Sequence, residues 1–426
     1  MGIFGTCPPA PLGRLGGFEL PLVVVGVTHP QTCLILRGRL RALREAGFRV
    51  VLISGPGALA TQTAAEEGVE HVSIPMKRGI SPLADLVSVC RLCAALLRLR
   101  PVLTEFSTPK AGLLGNIAGF LCRVPVRIYV LRGLRLETVS GLQHWILKIT
   151  EWVAAACSHV VVCNSESLRS QAQALGIAPR RKLRLVGSGS SAGVDNQRFA
   201  PRCETRSNDM RTRLGIAGDV GVIGFVGRLT RDKGIPELLR AFEEVLENFP
   251  QALLLLVGWF DESEDPLGPA DRARIEKHPR ILCTGFVAET APYYRAMDLM
   301  VLPTWREGFP NALLEAAASG VPVVSTLVTG ARDAVWHNHT GLLVPPGDSR
   351  VLALAIERLL LDPALRRRMG VAGRAWVSER FVSTRVQRHT VGLYRKLIVN
   401  LGGEPIPILG RESIPAVARD AATAGD

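Results

Sequence analysis

Aromatic residues and long apolar segments are scarce in this chain. Phe, Trp and Tyr make up 5% of the 426 residues, although the hydrophobic fraction is 47% and rich in Val, Leu and Ala. No uninterrupted apolar run reaches the roughly 18–20 residues that a membrane-spanning helix needs. The segment Leu83 to Leu99 is interrupted by Asp85, Arg91 and Arg98, and it predicts either an ordinary crossover helix or a surface-binding amphipathic helix. We therefore expect no helical membrane span.

Signals for secretion, metal binding and nucleic-acid binding are also missing. Pro8, Pro9 and Pro11 stand where a secretion signal would be apolar, so we expect a cytoplasmic protein, with peripheral attachment to the inner face of the membrane left open. The nine cysteines are scattered, and Cys90 and Cys93 form a C-x-x-C without a second pair, which indicates thiols in a reducing compartment. No D-x-D occurs in a nucleotide-sugar context, so no metal is expected, and no aromatic-interleaved basic strand predicts nucleic-acid binding.

Positive charge is concentrated in the first half of the chain. Residues 1–200 contain 23 Lys and Arg against 11 Asp and Glu, whereas residues 201–426 contain 28 against 27. A basic domain beside a neutral one indicates an anionic partner for the first. An anionic membrane surface or a diphosphate-linked acceptor fits this charge, and general basicity without a partner is the alternative.

Strand-like and helix-like patterns alternate along the whole chain, which predicts an α/β protein with parallel sheets and helical crossovers. Helices are expected around Leu40, Leu92, Leu114 and Ile149. The predicted strands are Leu22–Val27, Val50–Ser54, Val72–Pro75, Val102–Phe106, Val126–Leu131, Val160–Cys163, Val222–Val226, Leu253–Val257, Ile281–Gly285, Leu299–Leu302, Val321–Ser325 and Gly341–Val344.

Two domains and a tail are predicted from length and composition. The Gly- and Ser-rich stretch from Gly187 to Gly218 indicates a hinge. We expect residues 1–200 to form one Rossmann-like domain and residues 201–400 a second, with residues 401–426 as a flexible tail.

Two carboxylates frame the segment Glu307-Gly-Phe-Pro-Asn-Ala-Leu-Leu-Glu315, which follows a predicted strand and begins a helix. Ligands bind at the carboxyl ends of strands in open α/β sheets, and carboxylates accept hydrogen bonds from sugar hydroxyls. Gly308 permits close backbone approach, and the amides at the start of the helix favour an anion. The segment therefore predicts a site for a phosphorylated, polyhydroxylated ligand.

Arg228 and Lys233 lie in a second predicted strand-to-helix loop, which ends at Gly234. Cations are unfavourable beside the positive end of a helix dipole unless an anion joins them. We expect a diphosphate between the two side chains, and solvated loop charges are the alternative.

The chain from Gly224 to Pro345 resembles the donor-binding half of retaining nucleotide-sugar glycosyltransferases of family 4, which have the GT-B fold. The matching segments are G-F-V-G-R-L-T-R-D-K-G, L-L-L-V-G, T-G-F-V, W-R-E-G-F-P-N-A-L-L-E-A-A-A-S-G-V-P-V-V and T-G-L-L-V-P-P-G-D. The E-x7-E spacing alone is a weak signal, but these segments in order are specific. The resemblance implies two Rossmann-like domains whose parallel sheets face each other across a cleft.

The resemblance also implies a role for each matched residue. Arg228 and Lys233 would hold the donor diphosphate, Glu307 the transferred sugar and Glu315 the ribose hydroxyls, so that Glu307, Arg228 and Lys233 are the expected catalytic residues. The other implied donor contacts are the amides of Gly308, Phe309 and Asn311, and the segment Gly285, Phe286 and Val287 beside the base. The donor would be a UDP- or GDP-sugar, with no further cofactor.

The first half resembles enzymes of capsule, exopolysaccharide or O-antigen assembly, over Ser107 to Gly115 and Arg127 to Glu137. Such enzymes usually act on saccharides attached to polyprenyl diphosphate, and Lys110, Arg132 and Arg135 are the expected acceptor-side cations. Many relatives have His-Gly where this chain has Arg132-Gly133. An arginine cannot replace the histidine as a base, because its pKa stays above about 12.

These observations predict transfer of a hexosyl group, with retention and without a metal, to a saccharide acceptor in surface polysaccharide or lipopolysaccharide synthesis. A GT-B sugar-nucleotide epimerase and a non-catalytic nucleotide-sugar-binding scaffold are the alternatives.

Overall fold

The structure, a computed structural model, describes residues 20–77, 79, 81–190, 192–201, 210–218, 220–262 and 265–400. The predicted tail, residues 401–426, lies outside these ranges, and so do residues 191 and 202–209 of the predicted hinge. Thirteen strands in the described residues form two parallel sheets.

The first sheet has seven strands in the order β3-β2-β1-β4-β5-β6-β7. Its strands are β1 (Leu22–Gly26), β2 (Arg49–Ser54), β3 (Glu70–Ser73), β4 (Leu103–Ser107), β5 (Val126–Leu131), β6 (Val160–Cys163) and β7 (Leu183–Leu185). Six helices accompany it: α1 (Arg39–Glu45), α2 (Ala58–Glu67), α3 (Pro82–Leu99), α4 (Pro109–Leu121), α5 (Gly141–Cys157) and α6 (Glu166–Ala174). Short 3-10 helices, Pro30–Leu36 and Arg135–Thr138, precede α1 and α5.

The second sheet has six strands in the order β10-β9-β8-β11-β12-β13. They are β8 (Val222–Val226), β9 (Leu253–Val257), β10 (Ile281–Cys283), β11 (Leu299–Leu302), β12 (Val323–Thr326) and β13 (Gly341–Val344). Eight helices of the described residues follow β8 in the chain: α7 (Ile235–Asn248), α8 (Pro269–Lys277), α9 (Ala291–Ala296), α10 (Asn311–Ala318), α11 (Ala331–Ala334), α12 (Ser349–Leu361), α13 (Pro363–Arg380) and α14 (Ser383–Asn400).

The predicted α/β fold and its two parallel sheets are confirmed. Each of the twelve predicted strands is present, and the four predicted helical centres lie in α1, α3, α4 and α5. The predicted strand Val321–Ser325 begins only at Val323, because Pro322 has no N–H for a ladder hydrogen bond. The three-residue strand β7 was not predicted, since so short a segment carries little periodicity.

Helix α14 connects the end of the second half to the first sheet. Tyr394 and Ile398 belong to the same buried cluster as Val23 and Val50 of β1 and β2. Residues 383–400 are expected in the second domain, whereas their apolar face packs on the first sheet. The domain boundaries at residues 200 and 400 stay predictions.

Candidate active site

The two predicted segments of the second half meet at the carboxyl edge of the second sheet. Lys233 Nζ lies 2.5 Å from Glu307 Oε1, and both side chains are largely buried. The loop ending at Gly234, which has φ +73°, packs so closely on Pro303 that a Cβ there would overlap the carbonyl oxygen of Pro303. Glycine at this position therefore permits the contact that brings Lys233 to Glu307.

Asp232 joins the same two loops from the preceding position. Its carboxylate accepts a hydrogen bond of 2.9 Å from Arg306, and its carbonyl accepts one of 2.9 Å from the Trp305 amide. Burial alone would raise the pKa of Asp232, but Lys233, the Thr230 hydroxyl and the neighbouring arginines lower it below its ordinary value. The carboxylate is therefore ionised and fixes the geometry of the loop.

Arg228 is also paired with carboxylates. Its Nη1 lies 2.9 Å from Asp261, and its Nη2 lies 3.9 Å from Asp232. The cations Arg228, Lys233 and Arg306 thus face the anions Asp232, Asp261 and Glu307. From the sequence, Arg228 and Lys233 were expected to pair with a bound diphosphate, whereas in the structure they pair with carboxylates. Asp261 and Glu307 are distant from this loop in sequence and contact it only in the fold.

The backbone of the first domain contacts the Glu307 loop directly. A Cβ on Gly308 would overlap the carbonyl of Arg132, so only glycine permits this approach of the two loops. Nearby, the Gly330 amide donates to the Ser167 hydroxyl at 2.8 Å, and the Thr329 hydroxyl donates to Glu137 at 2.8 Å. Gly308 is therefore needed for packing between the two halves, in addition to any ligand contact.

Arg132 is poorly paired for a buried guanidinium. Its Nε and Nη2 are buried without hydrogen-bond partners among the described residues. Burial lowers its pKa to about 10, below the value expected from the sequence, with Arg39 acting in the same direction and Glu105 and Tyr394 opposing. Arg132 remains a cation at neutral pH, and it can bind an anion but cannot act as a base.

Glu315, the second carboxylate of the segment, lies on the first turns of α10. Tyr294 donates its hydroxyl hydrogen to Glu315 Oε2 at 2.9 Å. Burial raises the pKa of Glu315 to about 7, and this Tyr294 hydrogen bond acts in the opposite direction. Asn311, one turn earlier, accepts a hydrogen bond of 3.4 Å from Ser190 in the segment that connects the two halves. A carboxyl group and an amide thus occupy one helix face, as the four-residue spacing predicts.

An aromatic pair borders the edge of the second sheet beyond β9 and β10. Phe286 is 54% exposed, and its ring centroid lies 5.3 Å from that of Trp259 in an edge-to-face arrangement. Gly285 forms an isolated β-bridge with Gly258, and Val287 packs against the hydrophobic core around the second sheet. Phe309 differs, since its ring is buried against Phe381 at 5.2 Å and only its backbone is left for a ligand.

The remaining predicted acceptor-side cations are placed differently from Arg132. Lys110 Nζ is bound to Asp85 at 2.6 Å, which ties the start of α4 to α3. Arg135 lies in the 3-10 helix before α5. Within the described ranges, no group of three or more His, Cys, Asp or Glu side chains is arranged to hold a metal ion.

Several residues of this region were not identified from the sequence. Asp232 and Arg306 directly precede Lys233 and Glu307, so their positions beside predicted site residues were an available signal. The others, Asp261, Trp259, Tyr294 and Glu105, carry no local motif, because their neighbours come from distant parts of the chain.

Two parallel α/β sheets with an ionic site at the carboxyl edge of the second agree with the GT-B glycosyltransferase architecture that the resemblance implies. Residues 220–362 match the family model of group 1 glycosyl transferases, and residues 36–189 match that of the glycosyl transferase 4-like domain. The chain belongs to this glycosyltransferase family.

Comparisons with single proteins agree with this assignment. The chain is 34% identical over 379 residues to the capsular polysaccharide biosynthesis glycosyltransferase CapM of Staphylococcus aureus, covering 89% of this chain and 98% of the relative. It is 26% identical to the UDP-Gal:alpha-D-GlcNAc-diphosphoundecaprenol alpha-1,3-galactosyltransferase of Escherichia coli, covering 70% of this chain and 77% of the relative. The structure of Anabaena Alr3699/HepE in complex with UDP and glucose has a TM-score of 0.73 at 20% identity, covering 88% of this chain and 99% of that one.

Proposed function

We propose that the protein transfers a hexosyl group from a UDP- or GDP-sugar to a saccharide on a polyprenyl diphosphate, in capsule or lipopolysaccharide synthesis. The observation that carries the proposal is the contact of Lys233 with Glu307, which joins the two donor motifs beside the first domain's Arg132. The names of the relatives support the substrate class, since CapM is a capsular enzyme and the Escherichia coli enzyme acts on a diphosphoundecaprenol-linked sugar.

In this proposal the paired cations exchange partners when the donor binds. Arg228 and Lys233 turn from their carboxylates to the diphosphate, and the amides of Gly308, Phe309 and Asn311 face its oxygens and the sugar. Glu307 accepts hydrogen bonds from the transferred sugar, and Glu315 accepts them from the ribose. Gly285, Phe286 and Val287 border the base.

Transfer with retention would follow a same-face path without a metal. The departing phosphate oxygen accepts the proton of the attacking acceptor hydroxyl while the sugar–phosphate bond breaks. Preorganised cations stabilise the charge that develops on the leaving diphosphate, and the cleft holds the two reactants together. The protein would work on the cytoplasmic side of an anionic membrane. No helix in the described ranges has both the length and the apolar character needed to cross a bilayer.

The test is a screen of nucleotide sugars followed by assay with a polyprenyl-diphosphate saccharide. We expect release of nucleoside diphosphate together with extension of the acceptor, and a metal chelator should not change either. The glycosidic bond of the product should have the same anomeric configuration as the sugar–phosphate bond of the donor. Interconversion of sugars without an acceptor would instead show an epimerase. Tight binding without either reaction would show a scaffold.

The acceptor role of the first-domain cations is tested separately. Arg132→Ser and Arg135→Ser should raise the KM for acceptor while nucleotide-sugar binding is retained. Lys110→Ser is assayed alone, because it also breaks the pair with Asp85. An unchanged acceptor KM in all three variants would contradict the assignment.

A further inference from the structure

Exposed apolar side chains are concentrated on one face of the first domain. Of the eighteen large hydrophobic side chains that are exposed among the described residues, ten lie between Leu83 and Trp152. They belong to α3, the end of α4 and α5, and α4 packs between α3 and α5. Apolar side chains exposed together on one face of a domain indicate an interaction site rather than chance exposure.

Helix α5 carries an outward apolar stripe. Leu142, Trp145, Ile149 and Trp152 are 77%, 58%, 57% and 55% exposed. Their spacing of three, four and three residues places them on one helix face about 15 Å long, at 1.5 Å rise per residue. The opposite face is buried on the sheet through Ala154 and Ala155, so the stripe is additional to the packing of the core.

Helix α3 carries a second stripe. Leu83, Leu86, Val87 and Leu97 are exposed, whereas Leu92 and Leu96 of the same helix are buried. The spacing again follows the helical period, and the helix is thus apolar on both the core side and the outer side. Phe120 and Leu121 at the end of α4 extend the surface between the two helices.

On this face the acidic side chains are engaged inside the domain, whereas basic side chains are exposed. The only acidic residues of α3 and α5 are both engaged inside the domain: Asp85 is bound to Lys110 at 2.6 Å, and Glu151 accepts a hydrogen bond of 2.5 Å from Tyr129. Arg91 and Arg98 are exposed on α3, and Lys148 Nζ lies 5.1 Å from the Trp145 ring centroid on α5. Tryptophans beside cations are the side chains that membrane interfaces favour.

We propose that the outward stripes of α3 and α5, with the end of α4, form the surface by which the protein inserts into an anionic lipid bilayer. The apolar side chains enter the boundary between headgroups and acyl chains, while Arg91, Arg98 and Lys148 contact lipid phosphates. A second copy of the chain is a poorer occupant, because a two-fold contact would bring these cations of the two copies together.

The position of this surface suits a lipid-linked acceptor. Crossover helices of a parallel sheet start at its carboxyl edge, so Leu83, Leu86 and Leu142 lie at the ends of α3 and α5 nearest the cleft. A saccharide on a membrane-bound diphosphate would then reach the cleft from the bilayer side. This step rests on the proposed function, whereas the bilayer contact itself does not.

The experiment measures flotation of the full chain with phosphatidylglycerol and with phosphatidylcholine vesicles at two salt concentrations. The wild type should prefer anionic vesicles and lose binding with added salt. The triple variant Trp145→Ser, Ile149→Ser and Trp152→Ser should bind anionic vesicles at least about tenfold more weakly, since binding scales with buried apolar area. Arg91→Gln with Arg98→Gln should weaken binding and its salt dependence.

The matched control replaces exposed apolar residues of the second domain, Leu354→Ser, Leu361→Ser and Val371→Ser, and should bind as the wild type does. Unchanged vesicle binding by the α5 variant overturns the proposal, and so does a wild-type dimer that this variant dissociates. No substrate is present in the flotation assay, so its result is independent of the transfer reaction. Transfer to a short-chain, detergent-soluble acceptor should be unchanged in the α5 variant.

Discussion

The side chain of Lys233 is the single group whose removal tests the donor site most directly. In the proposed reaction it stabilises the leaving diphosphate, and loss of one preorganised charge contact commonly lowers turnover by roughly 10²–10³. Lys233→Ala should show this loss in steady-state assays with saturating donor. Lys277→Ala, at an exposed lysine of α8, is the matched control and should retain full activity. Turnover of Lys233→Ala within twofold of the wild type would contradict the role.

The two glutamates of the same segment should differ in the kinetic step that they affect. Glu307 contacts Lys233 at the edge where the sugar is expected, whereas Glu315 accepts a hydrogen bond from Tyr294. Glu307→Gln should therefore lower the single-turnover rate more than donor affinity, and Glu315→Gln should mainly weaken donor binding. Titration calorimetry and rapid-quench assays measure the two quantities, and the reverse pattern would mean that their roles are exchanged.

Among the secondary-structure elements, α5 is joined to β5 through a buried acid. Burial raises the pKa of Glu151 to about 7, against 4.5 for a free side chain, and the Tyr129 hydrogen bond acts in the opposite direction. The folded chain therefore binds this proton more tightly than the unfolded chain. The stability that this bound proton gives to the folded chain is complete below pH 4.5 and is lost as the pH rises to about 7.

Glu151→Gln should remove this dependence, because the amide still accepts the Tyr129 hydrogen bond and does not ionise. At pH 8 the variant should be more stable than the wild type by on the order of 3 kcal/mol, with little difference near pH 4.5. Urea unfolding at several pH values measures the difference. The exposed Glu247→Gln serves as control, and parallel pH curves for the wild type and Glu151→Gln would refute the assignment.

At the scale of the whole molecule, α14 makes the stability of the first domain depend on the last described helix. Tyr394 donates its hydroxyl hydrogen to the buried Glu105, which also pairs with Arg39. Tyr394→Phe removes one donor to a buried carboxylate, which commonly costs about 1–3 kcal/mol in the free energy of unfolding.

Chemical unfolding of the full chain followed by circular dichroism measures the change. Tyr293→Phe is the matched control, because no hydrogen bond to the Tyr293 hydroxyl is found in the described residues. Equal midpoints for both variants would show that the Tyr394 hydroxyl contributes no net stability, and the packing of Ile398 on the first sheet would then have to account for the attachment of α14.

Local pattern was enough to predict much of this protein. Alternating strands and helices specify parallel α/β sheets because burial on both faces requires continuous apolar strands, and each of the twelve predicted strands is present. The order of Arg228, Lys233, Glu307 and Glu315 also indicated the candidate site. Strand ends and the loops that follow them can be predicted from neighbouring residues, and ligands bind at these ends. The pairing of α14 with the first sheet had no such signal.

The tertiary structure decided the partners of each charge and the use of each exposed apolar side chain. Asp261 and Arg228 are 33 positions apart, and Glu105 and Tyr394 are 289 apart. Such pairs are set by packing rather than by periodicity. The sequence showed Leu83 to Leu99 as apolar with three interrupting charges, but only the fold places Leu83 and Leu97 in solvent while Leu92 and Leu96 enter the core. A helical period defines two faces, and which face is covered depends on the neighbours that the chain brings to it.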